Sequence, residues 1–414
     1  MNKTKSHLLS VLFLLLMIAS LSAQNTGETK THLVKVEIPV NGQITITPAI
    51  PKDGKVVHGT VLSIKTRPAT GYAFDSGYFS IPGMWGAMYY ESMTPEFNVI
   101  IDQPKTLGAS FVKEEVLEGF KVIQNVEYAT PGKKVLKYDV YSPDNAKNLP
   151  CIVIIHGGGW ISNTEDIMRG LARELVRSGD YVVFSIDYRW MHLLDGDESP
   201  NKMHHLIEDV FGAIIHIMEH AEAYGADPTR IALTGDSAGG HLSASAANFP
   251  DKIGDKGFGE LEDVHEFLPS YLPKDKTIEK VREEVSRAIK VAAPSYGVFA
   301  GGLLTAHMGK ESEEAQKAVA PIDHIPNVKE RAIPQYLLRG TNDFLIQDAN
   351  VQAYADALKA AGQKVVYEQV EGAYHAFFDW KPDAQTKGFF KEFGVPYAAR
   401  MKAFFDVVFY PEKK

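Results

Sequence analysis

At 414 residues the chain exceeds the usual size of one domain, so one large domain with an appendage, or two domains, is expected. A composition of 45% hydrophobic, 23% charged and 10% aromatic residues is that of a globular chain and excludes wholesale disorder. A net charge of −9 gives no electrostatic footprint for nucleic acid, so no such partner is expected.

In chain order, Lys3 and Lys5, the apolar stretch Leu8 to Ile18 and the small-residue exit Leu21-Ser22-Ala23 read as a signal peptide over residues 1–23. The run is shorter than the roughly 20 apolar residues a membrane span needs, and Ser10 interrupts it, so no transmembrane anchor is expected. The exit carries no cysteine for a lipid anchor, and Cys151, the single cysteine, cannot form an intramolecular disulfide. A periplasmic or secreted protein of bacterial type is the expectation. Cys151 itself opens the apolar run Cys151 to Ile155, which predicts a buried, unreactive thiol.

Residues 30–113 alternate over short segments punctuated by Gly and Pro, which predicts a small all-β module. Leu33 to Ile38 and Gln43 to Ile46 flank Asn41-Gly42, a hairpin signal. Further short strands are expected over 60–65, 96–101 and 107–112. The aromatic residues of this module, Tyr72, Phe74, Tyr78, Phe79, Trp85, Tyr89 and Tyr90, fit a core or a glycan-contacting face.

From 119 to 412 the rhythm changes to strand, loop, helix. Apolar runs at Cys151 to Ile155, Tyr181 to Ile186, Ile231 to Thr234, Ile289 to Ala293, Tyr336 to Leu338 and Val365 to Val370 suit strands buried on both faces. Helical periodicity falls at Asp166 to Val176, His205 to Tyr224, Val351 to Ala361 and Ala398 to Val408. This alternation predicts an α/β domain with a mainly parallel sheet and helices on both faces. Val122 to Tyr128 and Val135 to Tyr141, across Pro131-Gly132, read as an antiparallel hairpin at its start. A charged insertion over 249–287 follows Ile231 to Thr234 and the helix after it, placed either to cover a site or to decorate the surface.

Gly235-Asp236-Ser237-Ala238-Gly239 matches the strained strand-to-helix turn that lifts a nucleophilic serine out of a sheet. A chain of this length yields about 0.2 such pentapeptides by chance, so its placement between a strand and a helix carries the weight. His156-Gly157-Gly158-Gly159-Trp160 follows a buried strand, and its backbone N–H groups can reach an oxyanion without side-chain obstruction. Gly158 and Gly159, with Ala238, are the expected donors. The remaining members of a serine triad are expected in the order acid, then histidine, each after a late strand. Asp343, after Tyr336 to Leu338, and His375, after Lys364 to Val370, fill those places. Asp348 is the rival acid, but it suits an N-cap of the following helix. His204 and His205 beside Asp209 hint at a metal, yet neighbouring helical positions diverge, so a packed or solvated face is expected. No metal or organic cofactor is required by this chemistry.

His156 to Trp160, Tyr224 to Leu233, Gly235 to His241 and Ala320 to Ile325 together resemble the α/β-hydrolase carboxylesterases. Within them the chain is most similar to the bacterial feruloyl esterase and acetyl (xylan) esterase group. The resemblance covers residues 120–410 and implies the triad Ser237, Asp343 and His375, the oxyanion donors Gly158, Gly159 and Ala238, and acylated plant polysaccharide or small ester substrates. Asp187-Tyr188-Arg189 begins as the family's D-Y-R-L-A-P segment does and then departs from it, and Ala376 follows His375 where Gly is common. Both departures bear on which acyl and alcohol groups fit. Trp160, Tyr188 and Trp190 are candidate pocket walls or core residues. In the β module, Asn41 to Pro48, Gly59 to Leu62 and Gly71 to Phe74 resemble the InlB B-repeat type, over about 80 residues. The competing readings are a serine peptidase on the same fold and a glycan-binding protein with a silent hydrolase domain.

Overall fold

The computed structural model describes residues 29–83, 86–260 and 263–413. The expected signal peptide and Trp85 lie outside the described residues. Among those described, no helix is long and apolar enough to cross a membrane.

The chain divides into two compact units at Lys113/Glu114. The first holds β1 (Thr31–Val36), β2 (Gly42–Thr47), β3 (Lys55–Val57), β4 (Thr60–Pro68), β5 (Tyr72–Gly83), β6 (Gly86–Ser92), β7 (Glu96–Ile101) and β8 (Lys105–Lys113). They form one sheet in the order β3-β1-β8-β5-β6 and another in the order β2-β4-β7. Val34, Leu62, Ile64, Val99, Ile101 and Leu107 form its core. The expected hairpin about Asn41-Gly42 is not formed, because β1 pairs with β3 and β8 whereas β2 pairs with β4. Asn41 does adopt the left-handed conformation of a turn. Gly42, however, serves close packing: a Cβ there would lie 2.3 Å from the Phe111 ring. The dipeptide turns the chain from one sheet into the other.

The second unit is built on one sheet in the order β16-β15-β14-β13-β11-β12-β10-β9. Its strands are β9 (Phe120–Ala129), β10 (Leu136–Pro143), β11 (Leu149–Ile155), β12 (Val182–Ile186), β13 (Ala226–Asp236), β14 (Ile289–Ser295), β15 (Gln335–Gly340) and β16 (Val365–Val370). β9 and β10 make the expected antiparallel hairpin, β10 meets β12 antiparallel, and the other pairings are parallel. Cys151 through Ile155 are each 0% exposed, and since successive side chains point to opposite faces, both faces are covered. The cover comes from α1 (Arg169–Val176), α2 (Met203–His220), α3 (Ala238–Asn248), α4 (Ile278–Ala288), α5 (Asp348–Ala360) and α6 (Val395–Phe409).

α3 is made largely of Ala, Gly and Ser and is buried along its whole length. Small side chains let it lie tight on the strand ends: a Cβ on Gly239 would fall 1.9 Å from the Ile155 carbonyl oxygen. The insertion after α3 is fastened to the domain by Phe249, Ile253 and Phe267, all fully buried, and by the Leu268 N–H donating to Glu208 on α2. In register, Ile155 stands beside Gly235, Asp236 beside Ser295 and Ser295 beside Leu338. The C-terminal ends of β11, β13, β14 and β15 therefore lie along one edge, where loops of an open α/β sheet hold their ligands.

Candidate active site

Each sequence-predicted triad residue leaves that edge. Ser237 follows β13 at φ 53°, ψ −115°, a conformation costly for a residue with a Cβ. It is held there because its N–H donates to the Ser295 carbonyl (3.0 Å) while its own carbonyl accepts the His241 N–H (3.1 Å). Asp343 leaves β15 and His375 leaves β16. The chain brings the three together: Ser237 Oγ lies 2.8 Å from His375 Nε2, and His375 Nδ1 lies 2.7 Å from Asp343 Oδ2. The carboxylate can only accept, so Nδ1 carries the imidazole proton and Nε2 faces the hydroxyl with a lone pair.

Asp343 is buried and fully engaged. Its Oδ1 accepts the Leu345 and Ile346 N–H groups, both at 2.9 Å, and Arg339 Nη2 donates to its carbonyl oxygen at 2.9 Å. Asp348 is placed otherwise. It is the first residue of α5 rather than its N-cap, which is Gln347, and its carboxylate accepts Tyr367 Oη (2.6 Å) and Gln369 Nε2 (2.9 Å). The expected cap is lost because these two donors on β16 take the side chain. Tyr296, which sequence reasoning missed, packs edge-on against the His375 ring at 5.0 Å and accepts the Phe378 N–H at 3.1 Å. Nothing in the residues around Tyr296 signalled it, since its role arises from strand order.

The glycine loop after β11 is shaped from beneath. The Gly157 N–H donates to Asp236 Oδ1 at 2.6 Å, which ties the loop to the serine turn. Burial, with Asp379 nearby, pushes the Asp236 carboxyl well above the usual range. Gly158 has φ +122°, and a Cβ there would lie 2.2 Å from the Ser162 carbonyl oxygen, so glycine is required on two counts. His156 is wholly buried, stacks on Tyr188 (4.2 Å, 12°) and has its Nε2 3.4 Å from Asp187. Burial opposes the charge of Asp187, but His156 and Lys134 outweigh it and hold the carboxyl below its ordinary value. The Tyr188 hydroxyl donates to the His156 carbonyl at 2.8 Å.

Among the candidate pocket walls, Tyr188 is therefore interior scaffolding with no exposed surface. Trp160 is 2% exposed and donates from Nε1 to His241 Nδ1 at 3.1 Å. Trp190 is half-buried, with Nε1 bound to the Asn163 carbonyl at 3.0 Å. Cys151 is buried.

His204 and His205 depart from the expected divergence. The His205 ring folds back so that Nδ1 accepts the Lys202 N–H at 3.1 Å, and the two rings stand 4.0 Å apart, with Glu208 on the next turn.

Comparison with known proteins places this arrangement. Carboxylic ester hydrolase LipN of Mycobacterium tuberculosis is 40% identical over 105 residues, which are 25% of this chain and 26% of that protein. Esterase LipQ of the same organism is 28% identical over 271 residues, 60% of this chain and 55% of that protein. The chain thus spans from about a quarter to just over half of these relatives' own length. A thermophilic esterase from the Planctomycetes species Thermogutta terrifontis superposes with a TM-score of 0.50 at 22% identity, over 70% of this chain and 92% of that one, a likeness of fold. The large unit accordingly has the α/β-hydrolase fold expected from the sequence. A sequence model of BD-FAE matches residues 138–358, more than half of the chain, taking in the glycine loop, Ser237 and Asp343, and so the chain belongs to the BD-FAE family.

Proposed function

We propose that this chain is a serine carboxylic ester hydrolase, a reading carried by the continuous hydrogen-bonded line from Ser237 Oγ through His375 to Asp343. Ser237 Oγ attacks the acyl carbonyl as its proton passes to His375 Nε2, and Asp343 holds the imidazolium that forms. The Gly157 and Ser237 amides are spent on Asp236 and Ser295, so the oxyanion falls to the amides that follow each, those of Gly158, Gly159 and Ala238. His375 returns the proton to the leaving alcohol, and water repeats the attack on the acyl-enzyme. This chemistry calls for no metal or cofactor.

The substrates we propose are acetyl or feruloyl esters of plant-type polysaccharides or oligosaccharides, met outside the cytoplasm after export on residues 1–23. The support is the resemblance to esterases of that group and the export signal. In the β module, Phe79 and Tyr90 stack at 4.7 Å and 8°, with Tyr90 exposed, a face suited to contact with a sugar ring. Purified protein is expected to hydrolyse p-nitrophenyl acetate and methyl ferulate and to release acid from acetylated xylan or feruloylated arabinoxylan. Ser237→Ala should lower kcat by roughly 10⁴-fold or more. If the wild type hydrolyses none of these and takes up no serine-directed fluorophosphonate, the esterase reading fails. Release of amino-acid amide chromogens alone would favour a peptidase.

A further inference from the structure

We propose that His204, His205 and Glu208, on the first turns of α2, bind one divalent transition-metal cation of the zinc type, at a site separate from Ser237 and independent of the esterase reading. One ligand-capable atom from each of the three residues lies within 4.8 Å of the others. His204 and Glu208 are four residues apart, the spacing that stacks two side chains on one helical face. His205, one position on, would point away, but its ring is folded back over the helix start onto the Lys202 N–H. The recorded fold of that side chain, rather than its position in the sequence, closes the cluster.

The surroundings suit a cation. Glu208 is buried, its Oε1 accepts the Leu268 N–H at 3.0 Å, and Arg189 Nη2 stands 3.7 Å from Oε2, beyond hydrogen-bonding reach. Arg189 is neutralised elsewhere, forked onto Asp209 through Nε (2.8 Å) and Nη2 (2.9 Å). Lys202 is the other cation beside the cluster, on a long side chain that can turn to solvent. His265, on the insertion, stacks on His204 at 4.0 Å and 22°.

Two imidazoles and one carboxylate select borderline cations such as Zn²⁺ or Co²⁺ over Mg²⁺ or Ca²⁺. Bonds of about 2.0–2.2 Å in a tetrahedron bring ligand atoms to about 3.3 Å, a closure that side-chain torsions supply because all three ligands share one helix. Water takes the fourth position. Whichever ring nitrogen of His205 ligates, the Lys202 N–H loses its acceptor, so binding exchanges a helix cap for a coordinate bond.

The test uses the full chain, stripped of metal by chelation. Calorimetric titration with Zn²⁺ is expected to give one site per chain of micromolar affinity, and Co²⁺ to give visible bands of a four-coordinate site. His204→Gln and Glu208→Gln should each weaken binding at least tenfold, Gln at 208 keeping an acceptor for the Leu268 N–H. Ser237→Ala should bind as the wild type does, which separates this outcome from any failure of the esterase reading. Hydrogen exchange at the Lys202 amide should quicken when Zn²⁺ is added. Absence of binding to the folded wild type, or equal binding by both variants, overturns the proposal. Should the variants not fold, the Lys202 amide decides: unchanged exchange with Zn²⁺ overturns it.

Discussion

Asp343 and Asp348 are five positions apart, yet their surroundings separate them completely. Asp343 gives one oxygen to two backbone amides and the other to His375, whereas Asp348 is taken up by Tyr367 and Gln369. Asp343→Asn is expected to cut kcat by about 10⁴-fold with little change in KM, because Asn no longer stabilises the imidazolium. Asp348→Asn should leave kcat within about twofold, and steady-state assays of the pair decide between them. Gly158→Ala should cost about 10²-fold or more in kcat, through a displaced oxyanion loop, while the circular dichroism spectrum stays that of the wild type. Strand order in the sequence was enough to expect Asp343 beside His375, where it stands at 2.7 Å. Tyr296, Arg339 and the seat of Tyr188 under the loop were not, since each depends on which strands become neighbours across long stretches of chain.

At the scale of elements, apolar runs announced the buried strands and their ends. Cys151 to Ile155 and Val365 to Val370 fall within or on the observed strands, the first because Ile152 to Ile155 are all β-branched, the second because Val365, Val366, Tyr367 and Val370 favour the extended chain. Ile154→Ala, in the sheet interior at 0% exposure, is expected to cost about 3 kcal/mol in urea denaturation. Val366→Ala, on the edge strand β16 and 40% exposed, should fall within about 0.5 kcal/mol. The Asn41-Gly42 turn misled for a physical reason: local turn chemistry fixes a reversal of the chain but not the partner of the strand that follows. In that module the partners are set by packing of Val34, Leu62 and Leu107, far apart in sequence.

For the whole molecule, two separate cores and a triad confined to the larger unit lead us to propose independent folding. A chain starting at Glu114 should fold and hydrolyse p-nitrophenyl acetate with kcat/KM within about twofold of the full chain. The same chain would lose any affinity for insoluble xylan that the β module supplies. His241 should weaken the large unit in acid. Burial holds His241 at about 4 against an ordinary 6.5, so between those values the unfolded chain binds the proton and the folded one does not. Stability from this group is present above pH 6.5 and drains away as pH falls toward 4, by at most about 1.4 kcal/mol per pH unit. Denaturation curves at pH 7 and 5 should show a change in the wild type that is more unfavourable in acid than the change in His241→Asn.

The end of β14 and the residue after it touch both Ser237 and His375, for Ser295 holds the Ser237 backbone and Tyr296 packs against the His375 ring. The proposed nucleophile and base thus share one mechanical reference. Thermal drift of that strand end carries both together and leaves their spacing unchanged, while drift of any other strand moves one against the other. Activity lost on heating should therefore track loosening of β15 and β16, where Asp343 and His375 are rooted, before it tracks the melting of the sheet.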